Sequence, residues 1–356
     1  MRRALFEAFP ALADTLPVYT FAELPTPLKP LKHFAATGNY GDLWIKQDNL
    51  TGTPYGGNKI RKLEFLLGDA LEQDYNDVIT FGAAGSNHAL ATAIFAKQLG
   101  LIPHVVVSPQ PDNPKIQKTL AYHQHLGTHL VTADGYREIM QTAEDVETEV
   151  AALGRKTYRI PFGGSSAVGA IGFVNAAFEL KEQIANGDMP EPQHIYIACG
   201  TTGSATGLSL GLQLADLDCQ VIAVQVTPAF LSGQEAHVRL FDETASLLHA
   251  LCPDITVPAD PLANITHTDS QFGEGYGEAT TAGKAAVELL EKTEGIALET
   301  TYTGKALAAL VADDRDDLLS GQTTLFWNTY NSHPYPELPQ ADVTTLPEAL
   351  RQYVHN

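Results

Sequence analysis

The sequence alternates between short apolar runs and longer stretches in which apolar residues recur every three or four positions. Short apolar runs between turn residues are typical of strands, and the longer period is typical of helices. The predicted strands span residues 78–81, 105–107, 129–131, 157–160, 194–199, 221–224 and 324–327. The predicted helices begin at Lys59 and then cover residues 87–99, 114–126, 136–153, 168–185, 279–294 and 304–311. Because strands separated by helices pair in parallel, the predicted fold class is α/β.

This series is interrupted by a polar segment with two prolines, at residues 186–192. We therefore predict two α/β units and find no internal repeat. Residues 1–35 contain several prolines and are predicted to be irregular. Ligands of open parallel sheets bind beyond the carboxyl ends of the strands, so the chemistry is expected at the turns from strand to helix.

Acidic residues outnumber basic ones, with 42 Asp and Glu against 22 Lys and Arg and a formal net charge of -20 over 356 residues. Such a surface repels phosphate backbones and anionic membranes, and no apolar run reaches the length of a membrane span. We expect neither a nucleic-acid nor a membrane partner. The three cysteines show no paired spacing, which favours a reducing, cytoplasmic location. The histidines lack ligand spacing, so no metal site is expected.

A lysine stands at the start of the first long helical pattern. Gly56 and Gly57 precede Asn58 and Lys59, and glycines let a backbone approach a ligand closely. The first amide groups of a helix attract anions and disfavour a charged ammonium, which lowers the cost of a neutral, nucleophilic amine. Lys59 is therefore a candidate for a Schiff base with a carbonyl group. The alternative is a solvated lysine at an ordinary helix start.

Two further turns follow predicted strands. Ser86 and Asn87 offer a hydroxyl and an amide to a flat ligand, although N-capping of the next helix explains them equally well. Residues 200–207, Gly-Thr-Thr-Gly-Ser-Ala-Thr-Gly, come directly after Cys199, which we interpret as a buried strand residue. The amides and hydroxyls of this loop suit a phosphate, but it has no cation and is neither a P-loop nor a full Rossmann pattern. The alternatives are a turn that binds nothing and a nucleotide site.

Two tyrosines complete the set of candidates. Tyr302 precedes Thr303 at the start of a predicted helix, and Tyr276 lies between two glycines. Either could donate a proton or stack on a ligand, although each taken alone is more typical of a structural tyrosine. A nucleophilic amine, a Ser-Asn turn and a phosphate cradle together match the requirements of pyridoxal 5'-phosphate.

These motifs resemble a known family. Residues 56–64, Gly-Gly-Asn-Lys-Ile-Arg-Lys-Leu-Glu, are similar to the cofactor-lysine motif of the D-cysteine desulfhydrase and 1-aminocyclopropane-1-carboxylate deaminase family, in the tryptophan synthase β-like class. Further landmarks match in the same order over nearly the whole chain: Ser86-Asn87-His88, Gly163-Gly164-Ser165, residues 200–207, Gly275-Tyr276-Gly277 and Tyr302-Thr303-Gly304-Lys305.

The resemblance implies two open parallel-sheet α/β domains with the cofactor in the cleft between them. The larger, cofactor-binding domain would contain residues 1–61 and 180–356, and the smaller one residues 62–179. The resemblance also implies a homodimer.

It further implies roles for single residues. Lys59 would carry the cofactor, Asn87 would bond to its ring hydroxyl, and Ser86 would lie beside the substrate. Tyr276 and Tyr302 are candidates for carboxylate binding or protonation of the leaving group. The implied cofactor-binding residues are Asn58, Lys59, Asn87, Gly200, Thr201, Thr202, Gly203, Ser204 and Thr303.

Thr303 distinguishes two reactions within this family. Enzymes that open the cyclopropane ring typically have an acidic residue there, which keeps the cofactor's ring nitrogen protonated and strengthens the electron sink. A threonine cannot do this, so we expect β-elimination from a small amino acid to give a 2-oxo acid and ammonia. The alternatives are ring opening and a non-catalytic protein that binds the cofactor or an amino acid.

The non-catalytic alternative is motivated by departures from the family pattern. Leu90 stands where the family often has an arginine, and residues 328–331, Asn-Thr-Tyr-Asn, replace a His-Thr-Gly-Gly-like segment. Residues 47–49, Gln-Asp-Asn, likewise replace an Arg-Asp-Asp-like run. A tyrosine in place of a glycine could reshape the pocket.

Overall fold

A computed structural model describes residues 3–355 and contains two β-sheets, each with helices packed on it. The chain divides into two compact units. The larger unit contains residues 22–62 and 165–333 with the N-terminal stretch that ends at Leu16. The smaller unit contains residues 17–21 and 63–164 with the C-terminal stretch that begins at Pro334.

The strands are β1 (Leu28–Pro30), β2 (Leu43–Gln47), β3 (Asp77–Ala83), β4 (Ile102–Ser108), β5 (His129–Thr132), β6 (Thr157–Arg159), β7 (His194–Cys199), β8 (Gln220–Gln225), β9 (Ile265–Thr268) and β10 (Thr324–Asn328). The helices are α1 (Ala4–Ala8), α2 (Leu12–Thr15), α3 (Lys32–Ala35), α4 (Lys59–Glu72), α5 (Asn87–Gln98), α6 (Pro114–Leu126), α7 (Tyr136–Ala152), α8 (Ala167–Ala185), α9 (Gly203–Leu214), α10 (Ala229–Ser232), α11 (Gln234–Leu251), α12 (Thr281–Glu294) and α13 (Thr303–Arg315). Short 3-10 helices cover Asp48–Leu50, Phe162–Gly164 and Glu348–Tyr353.

The predicted α/β class is confirmed, and each predicted strand and helix has an observed counterpart. The prediction that residues 1–35 are irregular is wrong, because α1, α2, β1 and α3 lie there. These elements are three to five residues long, too short to show a period, and tertiary contacts form them. In α1, for example, the amide of Leu5 donates to Asn175 Oδ1 in α8 at 3.1 Å.

The observed units also differ from the predicted domain boundaries, at residues 17–21, 62, 165–179 and 334–356. Residues 165–179 lie in the larger unit, because α8 packs on α9 and on the larger sheet. The C-terminal stretch belongs to the smaller unit, where Leu346, Leu350 and Tyr353 pack against residues of β4 and α6.

The larger sheet has the strand order β1-β2-β10-β7-β8-β9, and its strands are parallel except for β1 at the edge. Alternate residues of a strand face opposite sides. Tyr196 and Phe326 therefore pack with α12 and α13 on one face. Ile195, Leu325 and Trp327 pack with α8 and α9 on the other. Helices cover both faces, as parallel sheets require.

The smaller sheet is parallel throughout, in the order β5-β4-β3-β6. Val105 and Val107 pack with α5, α6 and the C-terminal stretch. Phe81 and Val106 pack with α7 on the opposite face. The buried strand β3 leads directly into the turn that carries Ser86.

Three neighbouring strands bring the candidate segments to one edge of the larger sheet. β10 lies between β2 and β7, and all three run in the same direction. The segment that leads to Lys59 follows β2, residues 329–331 follow β10, and the loop that begins at Gly200 follows β7. The larger unit therefore gathers its candidate residues at the carboxyl edge of its sheet, the usual ligand side.

Gly172 lets α8 approach the first turn of α4. A Cβ atom at Gly172 would lie 2.1 Å from the backbone oxygen of Arg61 and 2.9 Å from the backbone nitrogen of Lys62. Because both neighbours are backbone atoms, neither moves aside at low cost.

We predict that Gly172→Ala lowers the free energy of unfolding by about 1–3 kcal/mol, because the added methyl group overpacks this contact. Urea unfolding of the full chain measures the change. An alanine inside a helix ordinarily stabilises it by roughly 0.5–1 kcal/mol relative to glycine. A loss of stability would therefore separate overpacking at Gly172 from the usual effect of helix propensity. A gain in stability would contradict the close approach.

Candidate active site

Lys59 is the first residue of α4, and its amine is buried although the residue as a whole is only partly so. Burial lowers the pKa of this amine to about 8, while nearby Cys199 acts in the opposite direction. About a tenth of the amine is then neutral at pH 7, far more than for a solvated lysine. The alternative of an ordinary solvated lysine therefore does not describe this position.

Three backbone groups hold the turn before Lys59. The amide of Gly57 donates to the backbone oxygen of Asp48 at 2.8 Å. The amide of Asn58 donates to the backbone oxygen of Thr329 at 3.2 Å, and that of Gly56 to Asn331 Oδ1 at 2.7 Å. The segment at residues 328–331, which departs from the family pattern, is therefore part of the support of the lysine turn.

Two residues that depart from the family pattern, Asn49 and Asn328, are hydrogen-bonded to each other. Asn328 Nδ2 donates to Asn49 Oδ1 at 3.1 Å, and Asn49 Nδ2 donates to Ser332 Oγ at 2.9 Å. Both asparagines are buried. The side chains of Asn49 and Asn328 therefore form one neutral, hydrogen-bonded pair.

The loop after β7 forms an anion cradle at the start of α9. Thr202, the N-cap residue, has φ +59°, a left-handed conformation that costs a non-glycine residue energy and is typical of functional loops. The amide of Gly203 donates to Ser165 Oγ at 3.2 Å, and Ser165 Oγ lies 2.8 Å from Thr201 Oγ1. Hydroxyl groups and the positive end of a helix thus converge there.

Lys62 supplies the cation that the loop sequence lacks. Its Nζ donates to Ser165 Oγ at 3.4 Å, and a Cβ atom at Gly203 would lie 2.8 Å from the same Nζ. Burial and the nearby charge of Lys59 place the pKa of Lys62 well below its ordinary value. A phosphate beside it would restore its charge, so the cradle fits a phosphate group.

Neither Lys62 nor Ser165 is among the cofactor residues that the sequence predicts. A signal for Lys62 was present, because it lies three residues after Lys59 and so on the same face of α4. Ser165 precedes α8, and only the tertiary structure brings it to the loop after β7.

Asn58 and the loop residue Ser204 are bonded to each other, with 2.8 Å between Asn58 Nδ2 and Ser204 Oγ. On the other side of the loop, a Cβ atom at Gly200 would lie 3.2 Å from Cε1 of Tyr302. The Tyr302 and Tyr276 hydroxyls lie 2.7 Å apart. Burial raises the pKa of both phenols, strongly so for Tyr302, so both are neutral and able to donate a hydrogen bond.

Thr303 is fully buried at the start of α13. Its hydroxyl donates to Glu299 Oε1 at 3.1 Å. The Glu299 carboxylate also accepts from the amides of Thr301, Tyr302 and Thr303, at 2.7, 2.9 and 2.7 Å. Glu299 therefore caps α13, and the amide groups at that helix end stabilise its carboxylate charge.

A buried ion network lies beneath the lysine turn. Arg61 donates to both oxygens of Asp48, at 2.8 and 2.9 Å, and to both oxygens of Glu179, at 2.9 and 3.0 Å. Lys46 Nζ also donates to Glu179 Oε1, at 2.6 Å. Burial by itself raises the pKa of Glu179, but the charges of Arg61 and Lys46 outweigh it and lower the pKa to about 2.

Ser86 and Asn87 belong to the smaller unit. Ser86 is the N-cap residue of α5, and its Oγ accepts from the amide of Ala89 at 3.2 Å, as the capping interpretation expected. The amide of Gly85 donates to Gln110 Oε1 at 3.0 Å, which holds the turn on β4. Leu90, the departure at the family's arginine position, is fully buried in α5.

Comparison with known proteins identifies the family. The model of the family described as pyridoxal-phosphate dependent enzymes matches residues 19–329. This chain belongs to that family. The predicted cofactor, pyridoxal phosphate, and the prediction that the chain is an enzyme of the lyase or deaminase type are thereby confirmed.

Relatives of this pyridoxal phosphate enzyme include a "D-cysteine desulfhydrase" of Yersinia pestis (strain Pestoides F), 35% identical over 290 residues that cover 79% of this chain and 84% of the relative. A Pyrococcus abyssi protein provisionally named 1-aminocyclopropane-1-carboxylate deaminase is 33% identical and covers 90% of this chain and 93% of its own. A crystal structure described as an "ACC deaminase homologue" has a TM-score of 0.79 at 32% identity and covers 94% of this chain and 96% of that one.

Within residues 3–355, none of the helices combines the length and the apolar character that a membrane crossing requires.

We predict that Glu179→Gln lowers the free energy of unfolding by about 3–5 kcal/mol at pH 7, because it removes the carboxylate partner of buried Lys46 and one of the two carboxylates bound to buried Arg61. In the unaltered enzyme the folded-state pKa of Glu179 is depressed, so its contribution is complete above its ordinary pKa of 4.5 and is lost as the pH falls towards 2. Urea unfolding between pH 2 and 7 should show that the free energy of unfolding depends less on pH in the variant than in the unaltered enzyme. Glu288→Gln, on the exposed face of α12, is the control.

We also predict that Asn331→Ala destabilises the enzyme by about 1–3 kcal/mol and weakens its binding of pyridoxal phosphate, because the buried amide of Gly56 loses its acceptor. Thermal unfolding and titration of the apo-protein with the cofactor measure the two effects. Asn39→Ala, at an exposed position, is the control and should stay close to the unaltered enzyme. Equal behaviour of Asn331→Ala and the unaltered enzyme would refute this role.

Proposed function

We propose that the enzyme is a D-cysteine desulfhydrase-like lyase, which removes the α-proton of a small amino acid, expels the β substituent and releases a 2-oxo acid and ammonia. The observation that carries the proposal is the pair formed by Lys59, an amine with a pKa of about 8, and the cradle of Lys62, Ser165 and Thr201 beside it. The name of the Yersinia pestis relative supports the choice of substrate.

We assign the attachment of the cofactor and the proton transfer to Lys59. When bound, pyridoxal phosphate supplies the electron sink that makes the Cα–H bond of an attached amino acid labile. Lys59 would hold the cofactor through its neutral amine, and the same amine, when released, would accept the α-proton of the substrate at Nζ. Its lowered pKa serves both tasks, because each needs the uncharged amine.

The remaining assignments rest on the family resemblance and are compatible with the chemistry of the side chains. The phosphate is held by Lys62, by the Ser165 hydroxyl and by residues 200–204, with Asn58 keeping Ser204 in place. Asn87 bonds to the ring hydroxyl. Ser86, Tyr276 and Tyr302 bind the substrate carboxylate or donate a proton to the leaving group, for which neutral hydroxyls are suited.

Thr303 favours elimination over ring opening. Its hydroxyl already donates to Glu299, and the Glu299 charge is taken by the amides of α13. Neither group is a free acid for the ring nitrogen, so the cofactor remains a moderate electron sink. Loss of a β leaving group needs less stabilisation than opening a cyclopropane ring. Ring opening remains the second candidate, because the ACC deaminase homologue is similar over 94% of this chain.

We further propose that the enzyme is a cytoplasmic homodimer. The location is supported by its three cysteines, which are free and buried. The homodimer rests on the family resemblance.

We predict that Lys59→Ala abolishes both the visible absorbance of covalently attached cofactor and the release of sulfide, pyruvate and ammonia from D-cysteine. Borohydride reduction followed by peptide mass mapping should place the cofactor on Lys59 in the unaltered enzyme. Lys97→Ala, an exposed lysine of α5, should change neither readout. Full turnover by Lys59→Ala would remove the assignment. Release of 2-oxobutyrate from 1-aminocyclopropane-1-carboxylate, with none of the products from D-cysteine, would favour the second candidate.

A further inference from the structure

Lys115 of α6 binds the side chain of Asn87 within the smaller unit. Its Nζ donates to Asn87 Oδ1, with 2.5 Å between the two atoms. The same Nζ lies 5.7 Å from the centre of the Tyr335 ring, a cation–π contact. The Tyr335 hydroxyl in turn lies 3.3 Å from Thr119 Oγ1, one turn further along α6. Lys115 is therefore held from two sides and partly buried.

This contact fixes which way the carboxamide of Asn87 points. A carboxamide has an oxygen that accepts hydrogen bonds and an NH2 group that only donates them. An ammonium group can only donate, so the reversed carboxamide would set donors against donors beside a positive charge. With the oxygen turned to Lys115, the other arm of the Asn87 carboxamide is the NH2 group, which is a donor.

We propose that Lys115 is a positioning residue for the cofactor, which orients Asn87 so that its NH2 group donates to the ring hydroxyl of pyridoxal phosphate. The inference rests on the proposed function, which assigns that contact to Asn87. A ring oxygen that carries negative charge needs a donor, and the reversed carboxamide would offer it an oxygen instead. The ammonium also polarises the carboxamide, which strengthens its N–H groups as donors.

Two ligands separate this role from a general effect on the fold. Pyridoxine 5'-phosphate has the ring hydroxyl but no aldehyde, so it binds without reacting with Lys59. 3-Deoxypyridoxine 5'-phosphate lacks that hydroxyl and keeps the ring and the phosphate. Isothermal titration of the full-length apo-protein with each ligand gives two affinities for every variant, and their ratio reports on the ring hydroxyl alone.

We expect Lys115→Met to lower the affinity for pyridoxine 5'-phosphate by about tenfold. Its affinity for the deoxy ligand should stay within about twofold of that of the unaltered protein. Lys118→Met, an exposed lysine of the same helix, should change neither affinity. Lys115→Arg keeps a cationic donor and should retain most of the difference in affinity between the two ligands. The thermal unfolding midpoint of each apo-protein checks that the fold is intact.

The outcomes that overturn the inference are distinct from failure of the proposed function. Equal weakening of both ligands by Lys115→Met would mean that Lys115 acts on the phosphate or on the fold, and no weakening would mean that Asn87 keeps its orientation unaided. Either result would overturn the inference while leaving a Lys59-bound chromophore untouched. An unaltered enzyme that bound neither ligand and formed no chromophore would overturn the proposed function itself.

Discussion

The bonds of Arg61 to Asp48 and Glu179 are the interaction on which the candidate site depends. Asp48 follows β2, Glu179 lies in α8, and Arg61 lies two residues after Lys59, so one buried set of charges joins a strand, a helix and the lysine turn. Trp327 of β10 adds a fourth element, because its Nε1 donates to Asp48 Oδ2 at 2.8 Å. A buried charge is costly when it loses its partner, so these elements hold their positions together.

The lysine turn is joined to this network through Arg61 and through the bond from the Gly57 amide to the Asp48 backbone oxygen. Its two lysines share one physical property. Burial lowers the pKa of both Lys59 and Lys62. At Lys59 the neutral amine is the form that reacts with a carbonyl group. At Lys62 burial likewise favours the neutral amine, and the charge of a bound phosphate would raise the lowered pKa and restore the ammonium. One buried helix start can thus serve a nucleophile and an anion site, three residues apart.

The departures from the family pattern gain a physical account from their neighbours. Asn49 and Asn328 are bonded to each other, and Asn331 accepts from the amide of Gly56. The segment at residues 328–331 therefore supports the lysine turn.

The sequence by itself determined the α/β class and most of the longer elements, because hydrophobic periods of two and of three to four residues are local properties. It missed α11 and β9, which the structure shows. It also singled out Lys59, Asn87 and residues 200–204, because motifs at strand-to-helix turns are contiguous in the chain. Tertiary structure alone decided that Ser165 reaches the Gly203 loop, that Lys115 binds Asn87, and that Arg61 joins Asp48 to Glu179. These partners are 28 to 118 residues apart in the sequence, except for Arg61 and Asp48, which are separated by 13 residues. No local pattern encodes which distant side chains meet, since that depends on how helices pack on the sheets. The same reason explains β1 and α1, which are too short to show a period and exist through their contacts with β2 and α8.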